Sequence, residues 1–300
     1  ATTMGGSSFR ITNNKTSSTA APSLYFKNDD DLYVSLALLN SCISQVYMDL
    51  LNPTVGLKLA NVEAVPAIKF EKMAVLLRSL CENNIALSKE DWDSYEISWD
   101  FEQHPLVKRK ELHSLEKCYL TWKTECENRF LKMKDNEEHI NAVILKEYGL
   151  ENEVACEVSE KSISVHRIFD TKEDIPVSMD GSYYVRTKRD QIVSLISYSV
   201  GCMFGRYSLD KNGIVNAGDS LNANEYVSFS VDKDNIIPIC DDEYFKDDIV
   251  GRFVEFIKIV YGVDSLDDNL KFIANALGGK GSPREIIRNY FVNDFYKEHC

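Results

Sequence analysis

Long apolar runs, paired cysteine motifs and prolines are scarce in this chain of 300 residues. No apolar run approaches the roughly 20 residues that a membrane-spanning helix needs, and nothing resembles a secretory signal. We therefore expect a soluble, cytoplasmic protein without membrane contact. The eight cysteines form no C-x-x-C pair, which predicts reduced thiols and argues against a disulfide framework or a zinc site.

Positive charge is also in short supply. The chain has 34 Lys and Arg residues against 47 Asp and Glu residues, which gives a net charge of −13. Because phosphate contacts dominate non-specific binding to nucleic acids, this balance argues against such binding. However, the segment before Asn28 contains Arg10, Lys15 and Lys27 and no acidic residue. One locally basic face therefore remains compatible with the composition.

The first half of the chain has mostly helical patterns. Asn28, followed by acidic residues, predicts the start of an amphipathic helix that ends before Pro53. Alternating residues around Leu57 and Leu59 predict a short strand after it, and residues 8–12 and 23–26 are β-like. A second helix is predicted over residues 71–87, and residues 88–91 resemble a capping box that starts the next element.

A long helical pattern runs from Leu106 to about Tyr148, with apolar residues spaced by threes and fours. Such a helix would span on the order of 60 Å and would end at Gly149. Short strands are predicted near residues 154–158 and 163–165. Thr187 and Ser282 are predicted caps of later helices, and a further helix follows residue 248. These elements predict a helix-rich α+β fold.

Three stretches invite a chemical interpretation. The aromatic residues of segment 92–101 could stack on bases or form a packing cluster between domains, and neighbouring acidic residues favour the second interpretation. The acidic stretch 232–248 lacks the spacing of calcium and nuclease sites and is interpreted as a solvated helix N-terminus. Residues 278–281 follow a helix and lack the spacing of a phosphate loop. We therefore predict no catalytic, cofactor-binding or metal-binding residue.

Four stretches together resemble a known family in their order and combination. They are L-A-L-L-N-S with L-L-N-P-T-V-G-L-K-L-A-N-V-E-A-V-P-A-I (residues 36–68), S-K-E-D-W-D-S-Y-E-I-S-W-D-F (88–101), S-Y-S-V-G-C-M-F-G-R-Y-S-L-D (197–210) and N-I-I-P-I (235–239). The first resembles the helix, loop and strand that close a DNA target-recognition region. The combination resembles the PglX family, adenine-specific methyltransferases of BREX phage-exclusion systems.

The resemblance implies an enzyme that transfers a methyl group from S-adenosylmethionine to adenine N6. An Asn-Pro-Pro-Tyr-type tetrapeptide and a glycine-bearing cofactor loop are expected in such an enzyme, and this chain has neither motif. The chain therefore resembles the C-terminal portion of the enzyme without its catalytic domain or cofactor. The implied organisation is the end of a target-recognition region (1–70), a helical spacer (71–150) and a C-terminal α+β domain (151–300).

Double-stranded DNA is the implied partner, and candidate contact residues are chosen by residue type and location. Asparagine side chains can bond adenine edges, whereas basic and hydroxyl side chains hold phosphates. Two alternatives remain open: a protein-interaction scaffold for other proteins of the defence system, and a disordered terminus over residues 12–19. The predicted DNA contacts are Arg10, Asn13, Asn14, Lys15, Thr54, Lys58, Arg186, Lys188, Arg189 and Arg206.

Overall fold

Helices dominate the computed structural model, which describes residues 8–12, 23–51, 59–68, 70, 72–218 and 222–299. Two short strands, β1 (Arg167–Phe169) and β2 (Val185–Thr187), pair in parallel. The predicted helix-rich α+β class is confirmed. The helices are α1 Asp29–Asn40, α2 Cys42–Leu51, α3 Leu59–Glu63, α4 Ala74–Trp92, α5 Leu115–Tyr148, α6 Lys188–Met203, α7 Ile249–Tyr261, α8 Leu266–Leu277, α9 Pro283–Tyr290 and α10 Tyr296–His299.

The chain divides into two compact units. The first unit comprises residues 1–88 and 129–164, and the second comprises residues 89–128 and 165–300. Each unit has its own apolar core. The predicted organisation into segments 1–70, 71–150 and 151–300 concerns functional regions and stays a prediction.

In the first unit, the predicted helix after Asn28 is two helices. Asn28 caps α1 as predicted, because its side-chain oxygen accepts a hydrogen bond from the Asp31 N–H at 2.8 Å. The prediction of one continuous helix was wrong, since the chain bends by 65° between α1 and α2. At the break, Ser41 is extended and the Cys42 N–H donates to the Asn141 side-chain oxygen at 3.0 Å.

The Asn141 side chain comes from a distant part of the chain. Its oxygen thus accepts the hydrogen bond that the Cys42 N–H would donate to a carbonyl in a continuous helix. The apolar core of the first unit contains Ala37, Leu38, Ile43, Phe70, Leu77, Cys81, Ile140, Ile144 and Leu145.

No single helix of the described residues is long and apolar enough to cross a membrane, although the bent pair α1–α2 passes that test by length and composition.

Several predicted strands of this unit were wrong. Leu59 lies in α3, and the described residues 8–12 and 23–26 form no strand, whereas Leu57 lies outside the described residues. Residues 154–158 are irregular, and a 3₁₀ turn, Glu160–Ser162, precedes Ile163. Ile163 is fully buried although its segment is irregular. Its apolar side chain therefore contributes to the core without belonging to a strand.

The predicted capping box at residues 88–91 was also wrong, because these residues form the last turns of α4. Lys89 supports that continuation, since its Nζ lies 2.7 Å from Asp93 Oδ2 one helical turn later.

The long helix predicted from Leu106 to about Tyr148 is interrupted. A 3₁₀ helix, Val107–Leu112, ends at His113, whose φ of 51° lies in the left-handed region. α5 then begins, and the Leu115 N–H donates to the Asn269 side-chain oxygen at 2.8 Å.

The second unit confirms the predicted caps around its core helices. Thr187 and Asp190 form a capping box at the start of α6, and Ser282 and Glu285 form one at the start of α9. Gly201 lets the Tyr207 ring pack closely against the backbone of α6, since a Cβ at this position would lie 2.6 Å from the ring. The fully buried core side chains include Leu106, Leu115, Tyr119, Tyr198, Phe253 and Phe256.

One buried ion pair connects α7 with α9. Asp248, which caps α7, receives two hydrogen bonds from the Arg288 guanidinium, each 2.8 Å long. The Arg288 guanidinium also donates to the Cys240 carbonyl at 2.9 Å. Burial alone would raise the pKa of Asp248, but Arg288 and the backbone N–H groups of Gly251 and Val250 outweigh it and lower that pKa. The prediction that this acidic stretch is solvated was therefore wrong for Asp248, which has 0% exposure.

Replacing Arg288 tests this pair. We expect Arg288→Ala to lower the free energy of unfolding by about 3–5 kcal/mol, because it leaves the Asp248 carboxylate buried and unpaired. Arg284→Ala is the matched control on the same helix, since Arg284 pairs with Glu243 at an exposed position. Its loss should cost less than about 1 kcal/mol. If the two variants lowered the free energy of unfolding equally in urea, the Asp248–Arg288 pair would not be the buried, stabilising pair described here.

Candidate functional site

The junction of β2 and α6 carries three of the predicted DNA-binding cations. Arg186 lies in β2, and Lys188 and Arg189 form the first turn of α6. The Thr187 capping box fixes the direction of this turn. Arg206 follows the other end of α6, after Gly205, whose φ of 77° allows the chain to reverse. The four cations therefore lie at or just beyond the two ends of one helix.

Lys188 and Arg189 have acidic partners within the unit. Lys188 Nζ lies 3.6 Å from an oxygen of Asp170, whose other oxygen accepts a 2.7 Å hydrogen bond from Lys123. Hydrogen bonding from Lys123 lowers the pKa of Asp170 despite partial burial. The Arg189 guanidinium lies 2.8 Å from Glu298 Oε1. The charges of these two cations are thus compensated by nearby carboxylates.

Arg186 and Arg206 lie beside neighbouring residues of segment 92–101, which we call the aromatic turn. The Arg186 guanidinium is 5.9 Å from the Tyr95 ring centroid, and it donates to main-chain oxygens. Arg206 is exposed, and its Nε donates to the Tyr207 hydroxyl at 3.2 Å. Burial raises the pKa of Glu96, while the Tyr207 hydroxyl and the Arg206 charge act in the opposite direction. The structure therefore places each of these two predicted contact residues beside this turn, although they lie at opposite ends of α6.

The aromatic turn combines buried and exposed side chains. The Tyr95 ring centroid is 4.3 Å from that of His166, and Phe101 meets Tyr207 edge-on at 5.5 Å. The packing cluster was expected between domains, whereas these contacts of Tyr95 and Phe101 lie within the second unit. Trp92 and Trp99 do not share in it, since they are 51% and 96% exposed. Whether the exposed rings stack on bases stays a prediction.

A buried histidine–carboxylate pair packs against the aromatic turn through Tyr95. His166 Nδ1 lies 2.7 Å from Asp91 Oδ2, and both side chains are almost completely buried. The Tyr184 ring packs edge-on against His166 at 5.3 Å. Sequence reasoning missed this pair, because 75 positions separate its members and neither has a recognisable local motif.

His104 follows the aromatic turn in the chain and is almost completely buried. Its Nδ1 accepts a hydrogen bond from the Leu106 N–H at 3.3 Å, while its carbonyl accepts from Val107 and Lys108. Burial, reinforced by the charge of Arg109, lowers the pKa of His104 to about 3. A neutral ring is therefore part of the folded structure at neutral pH.

The predicted N-terminal contacts are represented by Arg10 alone, because the other five lie outside the described residues. Arg10 is exposed and donates to the Phe9 carbonyl at 2.9 Å. Burial raises the pKa of Glu137 to about 7, and the nearby charge of Arg10 opposes that rise. The contacts outside the described residues are Asn13, Asn14, Lys15, Thr54 and Lys58.

The described residues contain no group of three or more His, Cys, Asp or Glu side chains that could hold a metal ion. In the acidic stretch 232–248, the Asp232 carboxylate accepts hydrogen bonds from the N–H groups of Asp234 and Ile236, each at 3.2 Å. This carboxylate therefore shapes its own loop.

Two proteins match nearly the whole chain. The adenine-specific methyltransferase PglX of Lacticaseibacillus casei (strain Zhang) is 38% identical over 281 residues, which cover 91% of this chain. The adenine-specific methyltransferase BrxX of Escherichia coli O9:H4 (strain HS) is 32% identical over 292 residues, which cover 92% of it. The chain is similar to both proteins over nearly its whole length. The resemblance inferred from its motifs is thereby confirmed.

The chain spans only 22% and 24% of the lengths of these two relatives. No protein-family model matches its sequence. The relatives' names therefore describe proteins about four times longer than this chain.

His104 makes the stability of the chain dependent on pH. Its pKa is about 3 in the folded chain against an ordinary value of 6.5, so between these values the unfolded chain binds more protons. The stabilisation is complete above the ordinary value and decreases as the pH falls, by about 1.4 kcal/mol per pH unit. His104→Asn can keep an acceptor for the Leu106 N–H but does not titrate. We expect urea unfolding between neutral and mildly acidic pH to show a shallower decline for this variant. Parallel declines would contradict the prediction.

Proposed function

We propose that this chain is the DNA target-recognition portion of a site-specific adenine-N6 DNA methyltransferase of a phage-defence system. The observation that carries the proposal is the 38% identity, over 91% of the chain, to a protein named as an adenine-specific methyltransferase. We further propose that the chain corresponds to the C-terminal portion of such an enzyme. Its own role is then to hold duplex DNA in register, not to transfer the methyl group.

The proposed division of labour follows from the chemistry of base methylation. An enzyme that modifies adenine N6 must move the base out of the helical stack into a pocket next to the methyl donor. We assign that pocket and S-adenosylmethionine to a different portion of the enzyme, because the expected motifs are missing from this sequence. Contacts to phosphates and groove edges then come from this chain.

Among the candidate contacts, Arg186 and Arg206 have the better support in the second unit. Arg206 is exposed, and both guanidinium groups donate hydrogen bonds to carbonyl or hydroxyl oxygens. Lys188 and Arg189 already have carboxylates within 3.6 Å and 2.8 Å, so DNA would have to compete for them. For the first unit we propose base reading and phosphate contact by Arg10, Asn13, Asn14, Lys15, Thr54 and Lys58.

The alternative is a protein-interaction scaffold within the same defence system. The exposure of Trp99, 96%, together with the acidic residues around it, favours this alternative for one surface of the chain.

Binding to duplex DNA across a salt series tests the proposal. Each phosphate contact contributes a slope of about −0.9 to the dependence of log K on log salt concentration. We expect the double variant Arg186→Ala/Arg206→Ala to reduce the magnitude of the slope by about 2. Lys188→Ala/Arg189→Ala removes the same charge and is the matched control, with a smaller expected change because both cations are already paired.

Two results would contradict the proposal in different ways. No binding by the unmodified chain even at low salt would argue against DNA recognition by this chain. Equal slope changes for the two double variants would leave DNA binding intact but would assign it to the net charge of the unit, not to Arg186 and Arg206.

A further inference from the structure

We propose that Tyr95 is a positioning residue, which holds the Arg186 guanidinium in the orientation that binds a DNA phosphate. The buried pair of His166 and Asp91 in turn holds the Tyr95 ring. This role rests on the proposed function, in which Arg186 contacts DNA, and it adds three residues that do not touch DNA themselves. A series of side-chain contacts, from a buried carboxylate to a half-buried guanidinium, carries the proposal.

Arg186 has contacts of two kinds within its own unit. Its Nη1 donates to the main-chain oxygens of Tyr183 and Val185 at 3.1 Å and 3.0 Å. The carbon of its guanidinium lies 5.9 Å from the centroid of the Tyr95 ring. That distance is within the range of a cation–π contact. An arginine side chain that is already ordered loses less rotamer freedom when it binds a ligand.

The edge of the Arg186 guanidinium formed by Nε and Nη2 is the edge available to a ligand. Both of the bonds to main-chain oxygens leave from Nη1, and neither Nε nor Nη2 bonds to any residue that the structure describes. Two parallel N–H groups on one edge match two oxygens of a phosphate, provided that the guanidinium plane has the right orientation. The contact with the Tyr95 ring restricts that plane.

Two buried residues restrict the Tyr95 ring. The His166 ring lies 4.3 Å from it, centroid to centroid, and His166 Nδ1 lies 2.7 Å from Asp91 Oδ2. His166 also packs against the ring of Tyr184, which lies two positions before Arg186 in the chain. Closely packed side chains have little freedom to change rotamer. One histidine therefore fixes both the Tyr95 ring and the backbone that leads into β2.

A double-mutant cycle for duplex DNA binding by the intact chain tests the proposal. Tyr95→Leu removes the ring but leaves the charge of Arg186. We therefore expect the affinity to fall by about three- to tenfold while its salt dependence stays unchanged. In the Arg186→Ala background, Tyr95→Leu should change the affinity by less than about twofold. A general loosening of the aromatic turn, or an effect through Arg206, would instead weaken binding equally in both backgrounds.

Three further variants complete the design. Tyr95→Phe keeps the ring, so its DNA affinity should stay within about twofold of that of the unmodified chain. Phe253→Leu is the matched control, because Phe253 is a fully buried aromatic residue of the same unit whose ring meets Phe291 at 6.0 Å. It should lower stability but leave DNA affinity within about twofold. Arg186→Lys keeps the charge but lacks the fork of donors, so it should bind about as weakly as Tyr95→Leu. It also tests the proposal if Tyr95→Leu does not fold.

Three results would overturn the proposal, and they distinguish it from the proposed function. An equal loss of affinity for Tyr95→Leu in both backgrounds would leave DNA binding intact but would remove Tyr95 as the positioning residue of Arg186. Binding by Arg186→Lys as tight as that of the unmodified chain would show that the orientation of the guanidinium does not matter. No binding of duplex DNA by the unmodified chain would overturn the proposed function itself, and the role of Tyr95 with it.

Discussion

The packing of Tyr198 is the contact on which the second unit depends. Its ring lies 5.0 Å from Tyr207 in a stacked arrangement and meets Phe101 and Phe256 edge-on at 6.0 Å and 6.4 Å. One side chain of α6 thus joins the aromatic turn, the segment after α6 and α7. Close packing of this kind transmits any change in ring size to all three partners. The exposed residues of the aromatic turn and Arg206 owe their positions to this buried cluster.

Local signals explain which parts of the fold could be predicted from the sequence. The caps at Asn28, Thr187 and Ser282 were predicted because a capping residue and its backbone partner lie within one helical turn. The breaks before α2 and α5 were missed, because the N–H groups there bond to Asn141 and Asn269, which are 99 and 154 positions away. No periodicity in the interrupted segment contains that information. The same limit applies to the Asp91–His166 pair.

The candidate site shows a related limit. Residue type and clustering identified four cations around α6, but the sequence could not say that Asp170 and Glu298 would lie beside Lys188 and Arg189. Nor could it show that Arg186 and Arg206 would lie beside Tyr95 and Glu96 of one distant turn. An acidic chain that binds DNA needs cations whose charge is not fully compensated by ion pairs, because a compensated charge contributes little to phosphate binding. The distribution of ion pairs is therefore more informative here than the net charge of −13.

Hydrogen–deuterium exchange of the intact chain, with and without duplex DNA, tests the central claim most directly. The account predicts slower exchange on DNA binding in β2 and at residues 205–207, the segments that carry Arg186 and Arg206. Protection confined to the aromatic turn, or no protection anywhere in the chain at saturating DNA, would contradict the account.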